Sequence, residues 1–228
     1  MKFDILSLFP EYFAGPLDVS IVKRARENGL IDISLTNIRD FAEGKHKKVD
    51  DKPFGGGPGM VLMPEPVSKA IKSVRKENSY VVYLSPQGNV LTAAKCLELS
   101  RHEHVVLLCG HYEGVDDRVV QSHVDEEISI GDYVLTNGCI AAIVLLDAVI
   151  RFIPGVIGNE QGVLQDSFQN GIFEAPQYTK PDDFQGMRVP QVLKTGNHAL
   201  IKKWREEEAL KKTCRVRRDL VDDQRRNQ

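Results

Sequence analysis

Residues Glu127–Gly158 constrain the fold of this chain more than any other stretch. Polar and apolar residues alternate over Glu127–Ile130, which predicts the end of a β-strand. Two glycines and an Asn-Gly pair predict a loop over Gly131–Gly138, and the almost wholly apolar Cys139–Ile150 predicts a buried helix. A strand, a glycine loop and a buried helix in this order commonly seat a small ligand at the carboxyl edge of a sheet.

Two earlier predicted strands also run into loops that contain glycine. Tyr80–Leu84 is followed by Ser85-Pro86-Gln87-Gly88, and His104–Cys109 is followed by Gly110-His111-Tyr112-Glu113-Gly114. The centre of the second strand, V-V-L-L-C, is typical of a strand buried on both faces of a parallel sheet. Because such strands end at one edge, we expect the three loops to form one pocket, suited to a neutral or amphoteric ligand such as an adenosine derivative. Three ordinary strand-to-helix turns are the alternative.

The segment Arg39–Gly59 follows a predicted β-α-β unit, with strands at Phe3–Phe9 and Ile31–Ile38 and a helix at Leu17–Asn28. It is long, basic and then rich in glycine. A phosphate-binding P-loop would need Lys-Ser/Thr after the glycines, whereas Met60 follows Gly59. We therefore interpret this segment as a flexible basic lid that can touch phosphates.

After Gly155 the pattern changes. Gly158–Gly171 is polar without periodicity and is interpreted as a linker. Asn197 can cap a helix over His198–Lys211, which would carry Ile201, Trp204 and Leu210 inward. Residues 194–228 hold 11 basic and six acidic side chains, a balance of +5 in a chain of net charge −2. This segment is a candidate binder of polyanions, or else a solvated charged helix face.

Composition excludes several classes of protein. The net charge of −2 argues against a basic coat over the whole surface. Four widely spaced cysteines without a C-x-x-C pair suggest neither a disulfide framework nor a zinc site. The first residues lack the features of a signal peptide, and no apolar run is long enough to cross a membrane. We expect a cytoplasmic protein.

Taken in order, the motifs of this chain resemble those of the bacterial tRNA (guanine-N1-)-methyltransferases of the SPOUT class. The resemblance covers essentially the whole chain. It is carried by the following segments: D-D-K-P-F-G-G-G-P-G-M at Asp50–Met60, L-S-P-Q-G at Leu84–Gly88, L-C-G-H-Y-E-G at Leu108–Gly114, I-S-I-G-D-Y-V-L-T-N-G at Ile128–Gly138, R-F-I-P-G-V-I-G at Arg151–Gly158, D-S-F at Asp166–Phe168 and P-Q-Y-T-K-P at Pro176–Pro181.

The resemblance implies an architecture that the residue patterns alone do not. It implies an α/β fold with a SPOUT-type parallel sheet domain closed by a deep trefoil knot, plus a small α-helical C-terminal domain. We place the knotted S-adenosylmethionine-binding domain at 1–157, a flexible linker at 158–171 and the basic tRNA-binding domain at 172–228. A homodimer without membrane contact is also implied.

The resemblance further implies methyl transfer from S-adenosylmethionine to N1 of guanosine at position 37 of tRNA. Asp166 matches the family's proposed general base, and Arg151 matches its partner at the target base. Magnesium is implied too, although no carboxylate cluster predicts a site for it. The residues expected to bind the cofactor are Leu84, Ser85, Pro86, Gln87, Gly88, Gly110, Tyr112, Glu113, Gly114, Ile130, Gly131, Asp132, Tyr133, Val134, Leu135 and Gly138.

Other interpretations stay open at this point. The chain could be a SPOUT methyltransferase acting on another RNA nucleoside, or an RNA-binding module with an inactive cofactor pocket. A hydrolase using Cys109 and His111 lacks a carboxylate to orient the histidine. Asp166 or Ser167 could cap a helix, and Arg151 could be a snorkelling side chain at a helix end. His111 stands where many members of the family have Arg, and Gln177 replaces a frequent His; neither receives a role.

Overall fold

The computed structural model of this protein describes residues 1–163 and 166–226. The predicted linker at 158–171 and the predicted C-terminal domain at 172–228 therefore lie partly outside the described residues. The chain divides into two compact units, Met1–Gly158 and Asn159–Gln228. No helix in the described ranges has the length and apolar character needed to span a bilayer.

The first unit is built on a parallel five-stranded sheet, as the predicted α/β fold requires. Its strands lie in the order β2 (Asp32–Asn37), β1 (Lys2–Ser7), β6 (His104–Cys109), β5 (Ser79–Val90) and β7 (Glu126–Ser129). A small antiparallel hairpin, β3 with β4, lies outside this sheet. The strands of the unit are β1 (Lys2–Ser7), β2 (Asp32–Asn37), β3 (Asp50–Asp51), β4 (Val61–Leu62), β5 (Ser79–Val90), β6 (His104–Cys109) and β7 (Glu126–Ser129).

Helices connect these strands. Thr92 caps α3 (Ala93–Leu99) through its side chain, which accepts from the backbone N–H of Lys95. Asp116 caps α4 (Asp117–His123) in the same way, accepting from the backbone N–H of Arg118. Short 3₁₀ turns lie at Pro10–Phe13 and Ile38–Phe41. The α-helices of this unit are α1 (Ser20–Glu27), α2 (Pro64–Val74), α3 (Ala93–Leu99), α4 (Asp117–His123) and α5 (Cys139–Ile150).

The alternation of side chains along the strands divides the core into two layers. Val105, Leu107 and Cys109 of β6 point into the cluster formed with α1, α3 and α5, whereas Val106 and Leu108 point into the cluster formed with α2 and α4. Strand β6 lies at the centre of the sheet and all its residues are buried. This confirms the prediction from its apolar centre.

Strand β5 differs from its prediction. The expected turn at Ser85-Pro86-Gln87-Gly88 lies inside a strand that continues to Val90. Leu84 and Asn89 both pair with Ile128 of β7, so the residues between them bulge from the ladder. Because Pro86 cannot donate to a ladder, the bulge accommodates it without ending the strand.

Helix α5 spans the predicted residues and is buried on most of its surface. Its buried side chains include Ala142, Leu145 and Val149, while Ile140 and Val144 remain 41% and 43% exposed. The helix therefore fills the core and also presents an apolar stripe on the surface of the unit.

A buried polar network ties together the amino ends of three strands. The His104 Nε2 atom lies 2.7 Å from Asp4 Oδ2, and its Nδ1 atom lies 2.7 Å from Ser79 Oγ. The Lys2 Nζ atom completes the network at 3.2 Å from the same Asp4 oxygen. Asp4 and His104 are nearly inaccessible to solvent, so each depends on these partners.

We expect His104→Ala to lower the free energy of unfolding by about 3 kcal/mol, because it removes one partner of a buried carboxylate. Urea denaturation followed by circular dichroism measures the change. The control is His46→Ala, which removes an exposed imidazole and should leave the midpoint unchanged. Equal midpoints for the two variants would contradict a stabilising role for the network.

The second unit is mainly helical, as predicted. It also contains a β-hairpin whose two strands have two residues each. Asn197 accepts from the backbone N–H groups of Ala199 and Leu200 and so caps α7 as expected, but the helix is longer than predicted. Leu210 does not point inward: it is 46% exposed, and Ala209 and Thr213 are buried instead. The elements of this unit are α6 (Glu160–Val163), β8 (Asp183–Phe184), β9 (Met187–Arg188), a 3₁₀ turn at Gln191–Lys194, α7 (His198–Val216) and α8 (Arg218–Arg226).

Candidate functional site

A cavity of about 450 Å³ lies at the carboxyl ends of β5, β6 and β7. Its wall is formed by the bulge in β5, the loop that follows β6 and the loop between β7 and α5. The three loops that were predicted to converge therefore do so. A cavity of this size at this edge of a parallel sheet is typical of a small-molecule site.

Most of the predicted cofactor residues form the wall of this cavity. Gly88, Gly131 and Asp132 are not part of the wall. Gly88 lies in the bulge against the backbone of Glu127 and Ile128, where a Cβ would collide with main-chain atoms. The predicted residues that line the cavity are Leu84, Ser85, Pro86, Gln87, Gly110, Tyr112, Glu113, Gly114, Ile130, Tyr133, Val134, Leu135 and Gly138.

Two loops meet at Gly110 and Gly138 with almost no space between their backbones. The Gly138 N–H donates to the Gly110 carbonyl at 2.8 Å. A Cβ on Gly138 would lie 2.9 Å from the Gly110 nitrogen and 3.0 Å from the Cys109 Cα. Since neither neighbour is a flexible side chain, only glycine allows this approach.

The Gly110–Gly114 loop is held in an unusual backbone conformation. Tyr112 has a φ of 57°, in the left-handed region that a bulky residue seldom adopts. The Tyr83 ring packs directly against this loop. A Cβ added at Gly110 would lie only 3.0 Å from the ring. Strain of this kind persists only where surrounding contacts enforce it, and it is common at functional sites.

Acidic residues dominate the charge of the cavity. Glu113, Glu127 and Asp117 line it, and no lysine or arginine occurs among the described residues of its wall. A wall with three carboxylates and no basic side chain favours a ligand that carries positive charge. It is unsuited to a nucleoside triphosphate.

Sequence patterns did not identify every residue of the wall. Tyr83, Asp117, Glu127 and Asn137 line the cavity without having been predicted. Sequence position alone offered a signal for Tyr83, because it directly precedes Leu84 on a strand that leads to the site. Asp117 belongs to α4, and only the tertiary structure brings that helix to the wall.

Buried polar groups support the floor of the site. The Ser7 Oγ atom lies 3.1 Å from Cys139 Sγ and 3.4 Å from His111 Nε2. Burial raises the pKa of the Cys109 thiol well above its usual range, and Cys109 is inaccessible to solvent. This is the opposite of the exposed thiolate that a cysteine hydrolase needs.

The two residues matched to catalysis lie in different units. Arg151 follows the last turn of α5 and is half-buried. Asp166 is in the second unit, at the start of a turn in which its carbonyl accepts from the Gln169 N–H at 3.2 Å. No helix begins at Asp166 or Ser167 within the described ranges, and the Ser167 Oγ atom accepts from the Glu174 N–H. The helix-cap interpretation of these two residues is therefore wrong.

The parallel sheet and its edge cavity define an α/β protein with a small-molecule site formed by three loops. Over residues 1–223 the chain matches the family described as tRNA (guanine-1)-methyltransferase TrmD. The chain belongs to this family. Membership implies S-adenosylmethionine as methyl donor and tRNA as substrate.

Curated relatives with the printed name tRNA (guanine-N(1)-)-methyltransferase are similar over nearly the whole chain. The protein from Protochlamydia amoebophila is 60% identical over 97% of this chain and 100% of its own length. The protein from Dictyoglomus turgidum is 53% identical over 97% of this chain and 90% of its own length. The protein from Chlamydia pneumoniae is 61% identical over 96% of this chain, which spans 61% of that longer relative.

Proposed function

We propose that the edge cavity binds S-adenosylmethionine and presents its methyl group to N1 of the guanosine at position 37 of tRNA. The activity, methylation of a tRNA guanine at N1, follows from the family and from the names of the relatives. It is favoured over a SPOUT enzyme for another nucleoside and over a non-catalytic RNA-binding module. The observation that carries the proposal is the convergence of three glycine-containing loops on one acidic cavity.

The chemistry of the wall suits this cofactor. S-adenosylmethionine carries a positive sulfonium and an ammonium group, and Glu113, Glu127 and Asp117 supply compensating carboxylates. Gly110 and Gly138 line the cavity and have no side chains, so main-chain atoms form this part of the wall against the adenine and ribose. When bound, the cofactor supplies an electrophilic methyl group. The protein's own residues must hold the guanine so that N1 lies in line with it, which is positioning worth several kcal/mol.

Two side chains are proposed to act on the guanine. N1 carries a proton that must leave when the new bond forms, and we assign its removal to the Asp166 carboxylate. Negative charge then develops toward O6, and the Arg151 guanidinium is assigned to stabilise it.

Other features expected from the resemblance belong to the same proposal. A homodimer is supported by the exposed apolar stripe of α5 at Ile140 and Val144 and by Val134, which is 82% exposed in the neighbouring loop. The SPOUT-type trefoil knot is supported by the close contact between the backbone of Gly138 and that of Gly110 in the preceding loop.

Binding of tRNA is proposed for 172–228, with 158–171 as the linker. Within the described side chains, six basic residues of this segment form no ion pair with another residue and are available to phosphates. They are Lys180, Lys203, Arg205, Lys212, Arg215 and Arg218.

Magnesium receives no site. The described residues contain no group of three His, Cys, Asp or Glu side chains able to hold a metal ion. Mg²⁺ keeps much of its water and commonly binds through substrate phosphates, so no step is assigned to it here.

We expect S-adenosylmethionine to bind the free protein with one site per chain, and Glu127→Gln to weaken this binding roughly tenfold by removing one carboxylate from the wall. Isothermal titration calorimetry measures both. The control is Glu103→Gln, an exposed residue before β6 that is not part of the cavity. Equal affinity for the two variants would contradict the proposal that the carboxylates of the wall attract the positively charged cofactor.

A further inference from the structure

We propose that Phe54 is a stacking platform for an RNA base that flanks the nucleotide entering the cavity. The inference rests on the proposed function and extends it to a contact with the substrate. Phe54 lies in the segment between β3 and β4, which we call the glycine hairpin (residues 50–62).

The whole side chain of Phe54 is exposed to water, with a relative exposure of 101%. The Gly56 N–H donates to the Pro53 carbonyl at 3.2 Å and closes a turn with Phe54 in its second position. Gly55, in the third position, has a φ of 86°, which a type II turn requires. The turn therefore fixes the backbone that displays the ring.

The base of the glycine hairpin is held by backbone pairing. Asp50 pairs with Leu62, and Asp51 pairs with Val61. The Met63 N–H donates to the Val49 carbonyl at 2.8 Å and extends the pairing. An aromatic ring on an anchored hairpin loses less conformational entropy on binding than one on an unstructured loop.

The hairpin is also joined to the cavity wall. The Glu113 N–H donates to the Met60 carbonyl at 2.9 Å, and the Leu62 N–H donates to the Gly114 carbonyl at 2.9 Å. Gly59 packs closely on the Glu113 side chain, which a Cβ at this position would force to move. Five residues separate Phe54 from Met60, so the six Cα–Cα steps between them place the Phe54 backbone within about 22 Å of this wall.

Charge supports RNA as the occupant. Four exposed lysines lead into the hairpin tip. Lys47 pairs with Asp40 and Lys48 with Asp51, whereas Lys45 and Lys52 form no ion pair with a described residue. The cavity wall is acidic, so phosphates on either side of the bound nucleotide must be neutralised outside it, and Lys45 and Lys52 can supply that charge.

Base extrusion explains why an aromatic ring is useful here. N1 of guanine lies on the pairing edge, and the base must leave its stack to enter an enclosed site. Its neighbour then loses one stacking partner. An exposed aromatic side chain can replace that partner, and such stacking tolerates any base.

The test is the KM for a tRNA transcript, measured by methyl transfer with saturating S-adenosylmethionine. We expect Phe54→Ala and Phe54→Leu each to raise it roughly 5- to 100-fold, because both lack a π-face, and Phe54→Tyr to stay close to wild type. Val19→Ala, which trims another exposed apolar residue of the same unit, should have no effect. Cofactor affinity should be equal in all variants.

Three results would overturn the inference. They are a KM for Phe54→Ala within twofold of wild type, full activity of Phe54→Leu, or a sedimentation change showing that Phe54 contacts a second copy of the chain. Each leaves the proposed function intact if the wild-type protein methylates tRNA. Absence of methylation by the wild-type protein would instead refute the proposed function.

Discussion

Asp166→Ala should lower kcat for tRNA methylation by about 100- to 10,000-fold, the range that a positioned general base contributes. The variant should still bind S-adenosylmethionine with wild-type affinity, because Asp166 is not part of the cavity wall. Single-turnover methyl transfer gives the rate, and calorimetry gives the affinity. The deficit should shrink as pH rises, since N1 of guanine then loses its proton without help. A merely structural role would not produce that pH dependence.

The matched control is Glu207→Ala, which removes an exposed carboxylate from α7 in the same unit. It should retain kcat within about twofold, because a distant surface carboxylate takes no part in proton transfer. If Asp166→Ala also turned over tRNA at a near-normal rate, another group would have to accept the N1 proton.

Gly138→Ala should weaken S-adenosylmethionine binding, because it adds a Cβ where two loops of the site are in contact. The added Cβ would lie 2.9 Å from the Gly110 nitrogen, so the two loops must separate. Overpacking of this kind costs about 1–3 kcal/mol, which corresponds to roughly a 5- to 150-fold loss if it falls on cofactor affinity. Calorimetric titration with S-adenosylmethionine and thermal unfolding together show how the cost divides between binding and stability.

Gly158→Ala is the control for this experiment. A Cβ at Gly158 meets no atom within 4 Å, and its backbone does not lie in the left-handed region. It makes the same chemical change in open space and should alter neither affinity nor melting temperature. Wild-type affinity in Gly138→Ala would show that the loops at Gly110 and Gly138 need not touch to hold the cofactor.

Local patterns predicted the parts of this fold that depend on local physics. The apolar run of α5, the buried centre of β6 and the cap at Asn197 lie where periodicity and capping chemistry place them. The convergence of three loops followed from one further fact, that parallel strands end at a common edge.

The predictions that were wrong concern features that depend on contacts between residues distant in sequence. The bulge that keeps Pro86 inside β5 depends on the partner strand β7. Leu210 was expected inside by helical spacing, but the neighbours of α7 cover the turn at Ala209 and Thr213 instead. None of these partners is adjacent in sequence.

The central claim is methyl transfer to N1 of guanosine at position 37 of tRNA. Its most direct test is nucleoside mass spectrometry of a tRNA transcript after incubation with the protein and S-adenosylmethionine, comparing G37 with A37 in an otherwise identical transcript. We predict 1-methylguanosine in the first transcript and no methylated nucleoside in the second. Absence of 1-methylguanosine from the G37 transcript, or its formation in the A37 transcript, would contradict the account.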